Sequence, residues 1–195
     1  MLPKVQPVRF TARKEVFLHP NWVFELKYDG FRAIACIEDG TARLVSRNGF
    51  VYRRFESLCE ELQKTFGKKE LILDGEIACL DADGRPQFNQ LFFRRQEPTF
   101  CAFDILWKDG RDLRQLPLLT RKRILRRVVP KNHHSLMYVD SCEDGNGLFQ
   151  LVCELDFEGI VMKPKSSPYE DNRWVKVKNP DYSQAKNRHK LFERK

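Results

Sequence analysis

An α+β fold is predicted, with antiparallel β-sheets packed together and flanked by helices. Three observations predict it. Short runs rich in Val, Ile, Phe and Trp are separated by Asp-Gly pairs at 29–30, 39–40, 83–84 and 109–110. Such pairs favour tight turns between antiparallel neighbours. Between Arg54 and Phe66 the spacing changes: Phe55, Leu58, Cys59, Leu62 and Phe66 recur at three- and four-residue steps, the period of an amphipathic helix. Strands and helices interleave, but the repeated turns argue against a doubly wound parallel sheet.

Taken in order, residues 1–20 carry Pro3, Pro7 and Pro20 and read as an irregular lead-in. Residues 22–27, 31–38 and 41–46 read as strands, the first two joined as a hairpin through Asp29-Gly30. The helix from Arg54 ends at Gly67. Residues 71–80 return to strand, interrupted by Asp74-Gly75-Glu76, and a short helix follows around 87–95. Thr99 to Trp107 is the most strongly β stretch. Residues 119–129 read as a basic helix, 135–139 as a short strand, and 147–155 as a helix. Residues 159–163 and 173–178 close the pattern as strands.

The chain has 195 residues, 42% hydrophobic and 12% aromatic, enough for one ordinary core or two small ones. No window approaches the roughly 18 uncharged apolar residues of a membrane span, and Met1-Leu-Pro-Lys-Val lacks the apolar run of a signal peptide. Six scattered cysteines without metal-ligand spacing read as reduced and mostly buried, consistent with a cytoplasmic setting. The net charge is +8, concentrated in two runs. Residues 119–131 carry six Lys/Arg and no acid, and 163–195 carry ten against four Asp/Glu. Each run alone could be a solvated face; together they point to a polyanionic partner.

The chemistry centres on Glu25-Leu-Lys27-Tyr-Asp29-Gly30-Phe-Arg32. A lysine there, partly buried and near other cations, can lose its proton and act as a nucleophile. Asp74-Gly75-Glu76 could border a pocket and bind a ribose hydroxyl or a metal, or simply mark a turn. Phe103 could be a platform for a base or a plain core aromatic. Glu158 opens an apolar strand. In Trp174-Val-Lys-Val-Lys178 strict alternation puts Lys176 and Lys178 on one face, about 7 Å apart, a cradle for a polyphosphate or an exposed edge. No phosphate-binding Gly-x-x-x-x-Gly-Lys-Ser/Thr loop is present. His133-His134 reads as an exposed loop pair in preference to a metal site.

With these clusters in this order, the sequence resembles the nucleotidyltransferase (adenylation) domain of ATP-dependent DNA ligases, most nearly those of bacterial end-joining repair. The likeness runs over roughly residues 5–180 and rests on six stretches: 25–32, Ser46-Arg47-Asn48-Gly49, 73–77, Phe103-Asp104, 158–163 and 174–178. It implies an ATP-grasp-like nucleotidyltransferase fold with the nucleotide between the sheets, and ATP with Mg²⁺ or Mn²⁺ as cofactors. Lys27 would form a lysyl-AMP, pass AMP to the 5′-phosphate of a nick, and the 3′-hydroxyl would then seal the strand. By the same resemblance Glu25, or the backbone beside it, would meet the adenine amino group. Phe103 and Val161 would flank the base, Glu76 would bind the ribose and a metal, and Glu158 would place a metal. Lys176 and Lys178 would contact the α-phosphate, Arg32 and Arg47 the AMP and the nick, with Lys163 held more loosely. The basic runs would form one wall of a DNA clamp. The expected organisation is a domain over 1–180 and a basic tail over 181–195, without the OB-fold domain that usually follows. The implied partners are nicked or broken double-stranded DNA and a separate OB-fold protein or end-joining factors; the implied state is a monomer in the bacterial cytosol or nucleoid, away from membranes. RNA ligase, a capping-type guanylyltransferase and a non-catalytic end-binding module are the alternatives.

Overall fold

The computed structural model describes residues 1–171 and 173–185; Asn172 and 186–195, most of the expected basic tail, lie outside the described residues. In chain order the strands are β1 (Thr11–Arg13), β2 (Trp22–Leu26), β3 (Phe31–Glu38), β4 (Thr41–Ser46), β5 (Leu71–Ala78), β6 (Thr99–Lys108), β7 (Arg111–Asp112), β8 (Leu136–Tyr138), β9 (Gly159–Pro164) and β10 (Val175–Lys178). The helices are α1 (Glu56–Phe66), α2 (Phe88–Phe92), α3 (Leu118–Val128) and α4 (Gly145–Glu154). One sheet has the order β1-β10-β9-β2, and the other runs β4-β3-β5-β6-β7 with β8 added against β6.

Alternation along the strands sorts the side chains into three large cores and a small fourth around Ala78, Cys101 and Val139. On β3, Ala33, Ala35 and Ile37 face Leu58, Leu62 and Phe66 of α1, whereas Ile34 turns the other way. Ile34, Ile72 and Leu106 meet Val161, Tyr169 and Trp174 between the two sheets. On the far side of the small sheet, Phe24, Ile160, Met162, Val175 and Val177 pack against Val152 of α4. Helix α1 stops where its spacing says it must: Gly67 takes a φ of 57° and donates its N–H to Gln63 O.

Four local expectations change. Asp29-Gly30 does not close a hairpin, because β2 and β3 lie in different sheets; the pair is the crossover between them. Gly30 is needed for close approach, since a Cβ there would fall 2.0 Å from Ile77 O. Asp74-Gly75-Glu76 does not interrupt its strand, for β5 runs unbroken between β3 and β6. The lead-in contains β1, which pairs in parallel with β10, and β8 is likewise parallel to β6. Of the six free cysteines only Cys79 and Cys101 are buried, and Cys153 is exposed. Among the described residues no helix is long and apolar enough to cross a membrane.

Candidate active site

Two neighbouring rows of the small sheet carry the chemistry. In the first, Lys27 N–H bonds Gly159 O at 2.9 Å, and Gly159 is paired with Lys178 on its other side. Gly159 has a φ of +152°, and a Cβ would lie 2.2 Å from Val177 O. Only glycine fits, so bare backbone separates the two lysines. In the second row Glu25, Val161 and Lys176 stand side by side. Opposite them, the large sheet contributes Arg32 paired with Glu76 across β3 and β5. Phe103 comes from a bulge: Ala102 pairs with Gly75 and Asp104 with Asp74, which leaves Phe103 as the extra residue. A bulge re-aims the side chain it carries.

Lys27 Nζ donates to Glu158 Oε2 at 2.5 Å, while Lys178 reaches Oε1 at 3.3 Å. Glu158 is buried, Lys27 is 17% exposed and Lys178 57%. Lys176 is held below the ordinary lysine range, first by burial and then by the like charges of Lys178, Lys27 and Arg47. Cations crowded this way favour a polyanion. Arg47, Arg32, Arg9 and Lys176 also line a neighbouring cavity of about 600 Å³. Burial pushes the Glu76 carboxyl up to about 7, against the pull of Lys27 and Arg32; Glu158 and Asp29 add to the rise.

Beyond Lys27 a narrow pocket runs between the sheets, lined by Leu26, Tyr28, Phe103, Val161, Lys163 and Trp174 among others. Its volume is about 30 Å³, room for little more than a water or two, so a base enters only as these side chains part. Phe103 has Arg32 and Lys163 each 4.5 Å from its ring centre. The buried Trp174 indole N–H meets no acceptor within the described residues. An orphaned donor, apolar walls and adjacent cations suit a purine nucleotide, and the carboxylates of Glu76 and Glu158 supply the hard oxygen ligands a divalent cation prefers.

The structure thus gathers Glu25, Lys27, Glu76, Phe103, Val161 and Lys163 around one pocket, with Glu158, Lys176, Lys178 and Arg47 toward its mouth. Glu25 is not a free acceptor: its carboxylate is 2% exposed and bridges Lys122 at 2.6 Å and Lys163 at 2.5 Å. Arg32 is likewise held, bidentate to Asp74 with both contacts at 2.6 Å. Tyr169 OH donates to the same Asp74 at 2.6 Å.

The basic run at 119–131 is not wholly a DNA-facing wall. Arg121 is 0% exposed and bidentate to Asp104 at 2.8 and 2.9 Å, and Lys122 is buried on Glu25. A signal was available: 121 and 122 fall three and four residues after Leu118 and before Leu125, on the helix's apolar face. The histidines do lie in a loop, and His134 is exposed as expected, but His133 is not. His133 is half-buried, accepts Ser135 N–H at Nδ1, meets Thr65 Oγ1 at Nε2, and stacks on His134. With Glu61 they form a compact group, but both His133 nitrogens and one Glu61 oxygen, held by Lys64, already have partners.

Comparison with known proteins places this arrangement. Residues 6–178 match the family model described as ATP dependent DNA ligase domain. The SPbeta prophage-derived DNA ligase-like protein LigB of Bacillus subtilis is 34% identical over 194 residues, covering 93% of this chain and 70% of that one. The multifunctional non-homologous end joining protein LigD of Pseudomonas aeruginosa is 32% identical over 168 residues; the match takes in 81% of this chain and only 20% of LigD. Among solved structures, mycobacterial DNA ligase D complexed with ATP and MES superposes with a TM-score of 0.73 at 30% identity, over 89% of this chain and 60% of that chain. The chain therefore spans about a fifth of that LigD and three fifths of the ligase D chain.

Proposed function

Because the chain belongs to the ATP-dependent DNA ligase family, we propose that it forms a covalent adenylate on Lys27 and hands the AMP to a DNA 5′-phosphate for sealing. The observation that carries the reading is Lys27 Nζ, 17% exposed, at the mouth of the inter-sheet pocket, 2.5 Å from one carboxylate oxygen and beside three further cations. Glu158 Oε2 holds the Lys27 proton and is placed to take it when the amine attacks. In that attack an N–P bond forms to the α-phosphorus of ATP, and the P–O bond to pyrophosphate breaks. Lys176, Lys178 and Arg47 offset the charge that develops on the phosphate oxygens. Glu76 faces the ribose, and Phe103 and Val161 enclose the base, whose amino group meets the backbone beside Glu25. The AMP then moves to the 5′-phosphate, and attack by the adjacent 3′-hydroxyl closes the strand and releases AMP.

Mg²⁺ or Mn²⁺ would be held by Glu158 and Glu76, and supplies charge stabilisation at the phosphates when bound. The substrate is a nick or break in double-stranded DNA, with end-joining repair as the role and the cytoplasm as the setting. The name of the LigD relative supports the end-joining role, and that of LigB supports ligase activity alone. Incubation with α-labelled ATP and Mg²⁺, followed by denaturing electrophoresis, tests it. Wild type should carry acid-labile, base-stable label and Lys27→Arg none, because a guanidinium stays protonated in proteins. Label persisting on the Arg variant would overturn the assignment.

A further inference from the structure

Deep in the site, one buried carboxylate carries two buried ammonium groups. Glu25 Oε1 accepts from Lys122 at 2.6 Å and Oε2 from Lys163 at 2.5 Å. The two lysines are not equivalent. Lys122 arrives from α3, donates also to Val139 O at 2.8 Å, and stands outside the pocket lining. Lys163 lines the pocket, and its other near neighbours are ring faces, Trp174 at 3.8 Å and Phe103 at 4.5 Å. One ammonium is anchored in the wall; the other faces the space a base enters.

On the reading of this pocket as the nucleotide site, we propose that Lys122 is a positioning residue: it holds Glu25 from behind, so that Lys163 can leave the carboxylate for the ligand. Burial works to lower the pKa of Lys122, but Glu25 and Tyr138 outweigh it and leave it raised. Burial brings Lys163 down to about 8; Glu25 and Asp104 oppose the fall and the like charge of Lys122 adds to it. The charged and titratable groups facing the pair are Glu25 from β2, Asp104 from β6 with Arg121 bound to it, Tyr138 from β8, and Arg32 over the same Phe103 ring, while Glu76 from β5 lines the same pocket and titrates equally in wild type and the Lys122 variants. Without Lys122, Lys163 loses a repelling neighbour and becomes the main partner of Glu25. It then keeps its proton to higher pH and releases the carboxylate less readily.

The test is calorimetric binding of α,β-methylene-ATP, whose carbon bridge blocks adenylyl transfer, between about pH 6.5 and 9.5, the range in which a lysine lowered this far titrates. Wild type, Lys122→Met, Lys122→Gln and Lys122→Arg are compared, each with its thermal transition. Lys122→Met should bind on the order of tenfold more weakly at pH 7, as expected for loss of one charged hydrogen bond. Its pH inflection should move to higher pH, and Lys122→Arg should recover most of both. If Lys122→Met does not fold, Lys122→Gln, which keeps a donor but no charge, carries the same comparison. A folded variant with wild-type affinity and inflection overturns the role of Lys122. So does a loss that is equal at every pH and not relieved by Arg, the mark of mere support. Wild type that binds no analogue at any pH overturns the nucleotide reading itself.

Discussion

Two sets of ion pairs stand within one site and are built differently. Arg121–Asp104 and Arg32–Asp74 are guanidinium–carboxylate forks with added partners: Leu116 O and Ser167 O for Arg121, and Tyr169 OH for Asp74. Lys27–Glu158–Lys178 uses point charges on flexible stems, with Lys178 57% exposed and its contact at 3.3 Å. A buried fork such as Arg121–Asp104, with every guanidinium nitrogen bonded, is expensive to break and has little left to give a ligand. A lysine sharing one carboxylate with another can exchange that carboxylate for a phosphate. The difference teaches that scaffold and machinery are separated here by cation type, number of partners and burial acting together.

The sharpest way to break the comparison is at the locked end. Arg121→Met leaves the Asp104 carboxylate buried without its counter-charge, and should cost about 3–5 kcal/mol of stability. Urea unfolding measures it, and a loss below about 0.5 kcal/mol, the range of ordinary surface substitutions, would show that the fork locks nothing. At the exchangeable end, Glu158→Gln should slow single-turnover lysyl-AMP formation roughly 10²–10³-fold, the scale of losing one preorganised electrostatic group. Its unfolding midpoint and nucleotide affinity should move much less. An unchanged rate would remove Glu158 from the chemistry. The smallest effect is expected at Phe103, whose ring meets one locked cation, Arg32, and the pocket cation Lys163. Phe103→Leu should weaken ATP binding by about 1–3 kcal/mol, the worth of one base–aromatic stack, with the fold intact. Loss of the thermal transition instead would make Phe103 a core residue.

Where periodicity carries the information, the chain is legible. The alternation of Phe31–Glu38, the helical spacing up to Phe66 and the stop at Gly67 can all be read directly. Most strands and helices lie within a residue or two of the pattern. What resists reading is pairing over distance. Asp29-Gly30 has the composition of a hairpin turn, and only the placement of β2 and β3 in different sheets shows that it is a crossover. Thr11–Arg13 is unremarkable until it lies beside Val175–Val177. The lysines and acids of the pocket stand out by motif, whereas Arg121 and Lys122 hide inside a basic run, because charge counting ignores which helix face a residue occupies. Phe103 is visible as an aromatic in a strand, but the bulge that aims it arises from register with β5.

The four-stranded sheet has a consequence for the order in which the molecule can be made. Its strands lie at residues 11–13, 22–26, 159–164 and 175–178, while the pairs of the other sheet fall between 31 and 138. Most of the larger sheet can therefore close while its sequence neighbours are still close by, whereas the smaller one requires the chain's two ends to meet across more than a hundred residues of intervening polypeptide. Tyr182 then fastens the join by donating to Asp29 beside Lys27. During synthesis, the lysine at position 27 leaves the ribosome well before residues 175–178, and it has no site to belong to until that strand has followed it.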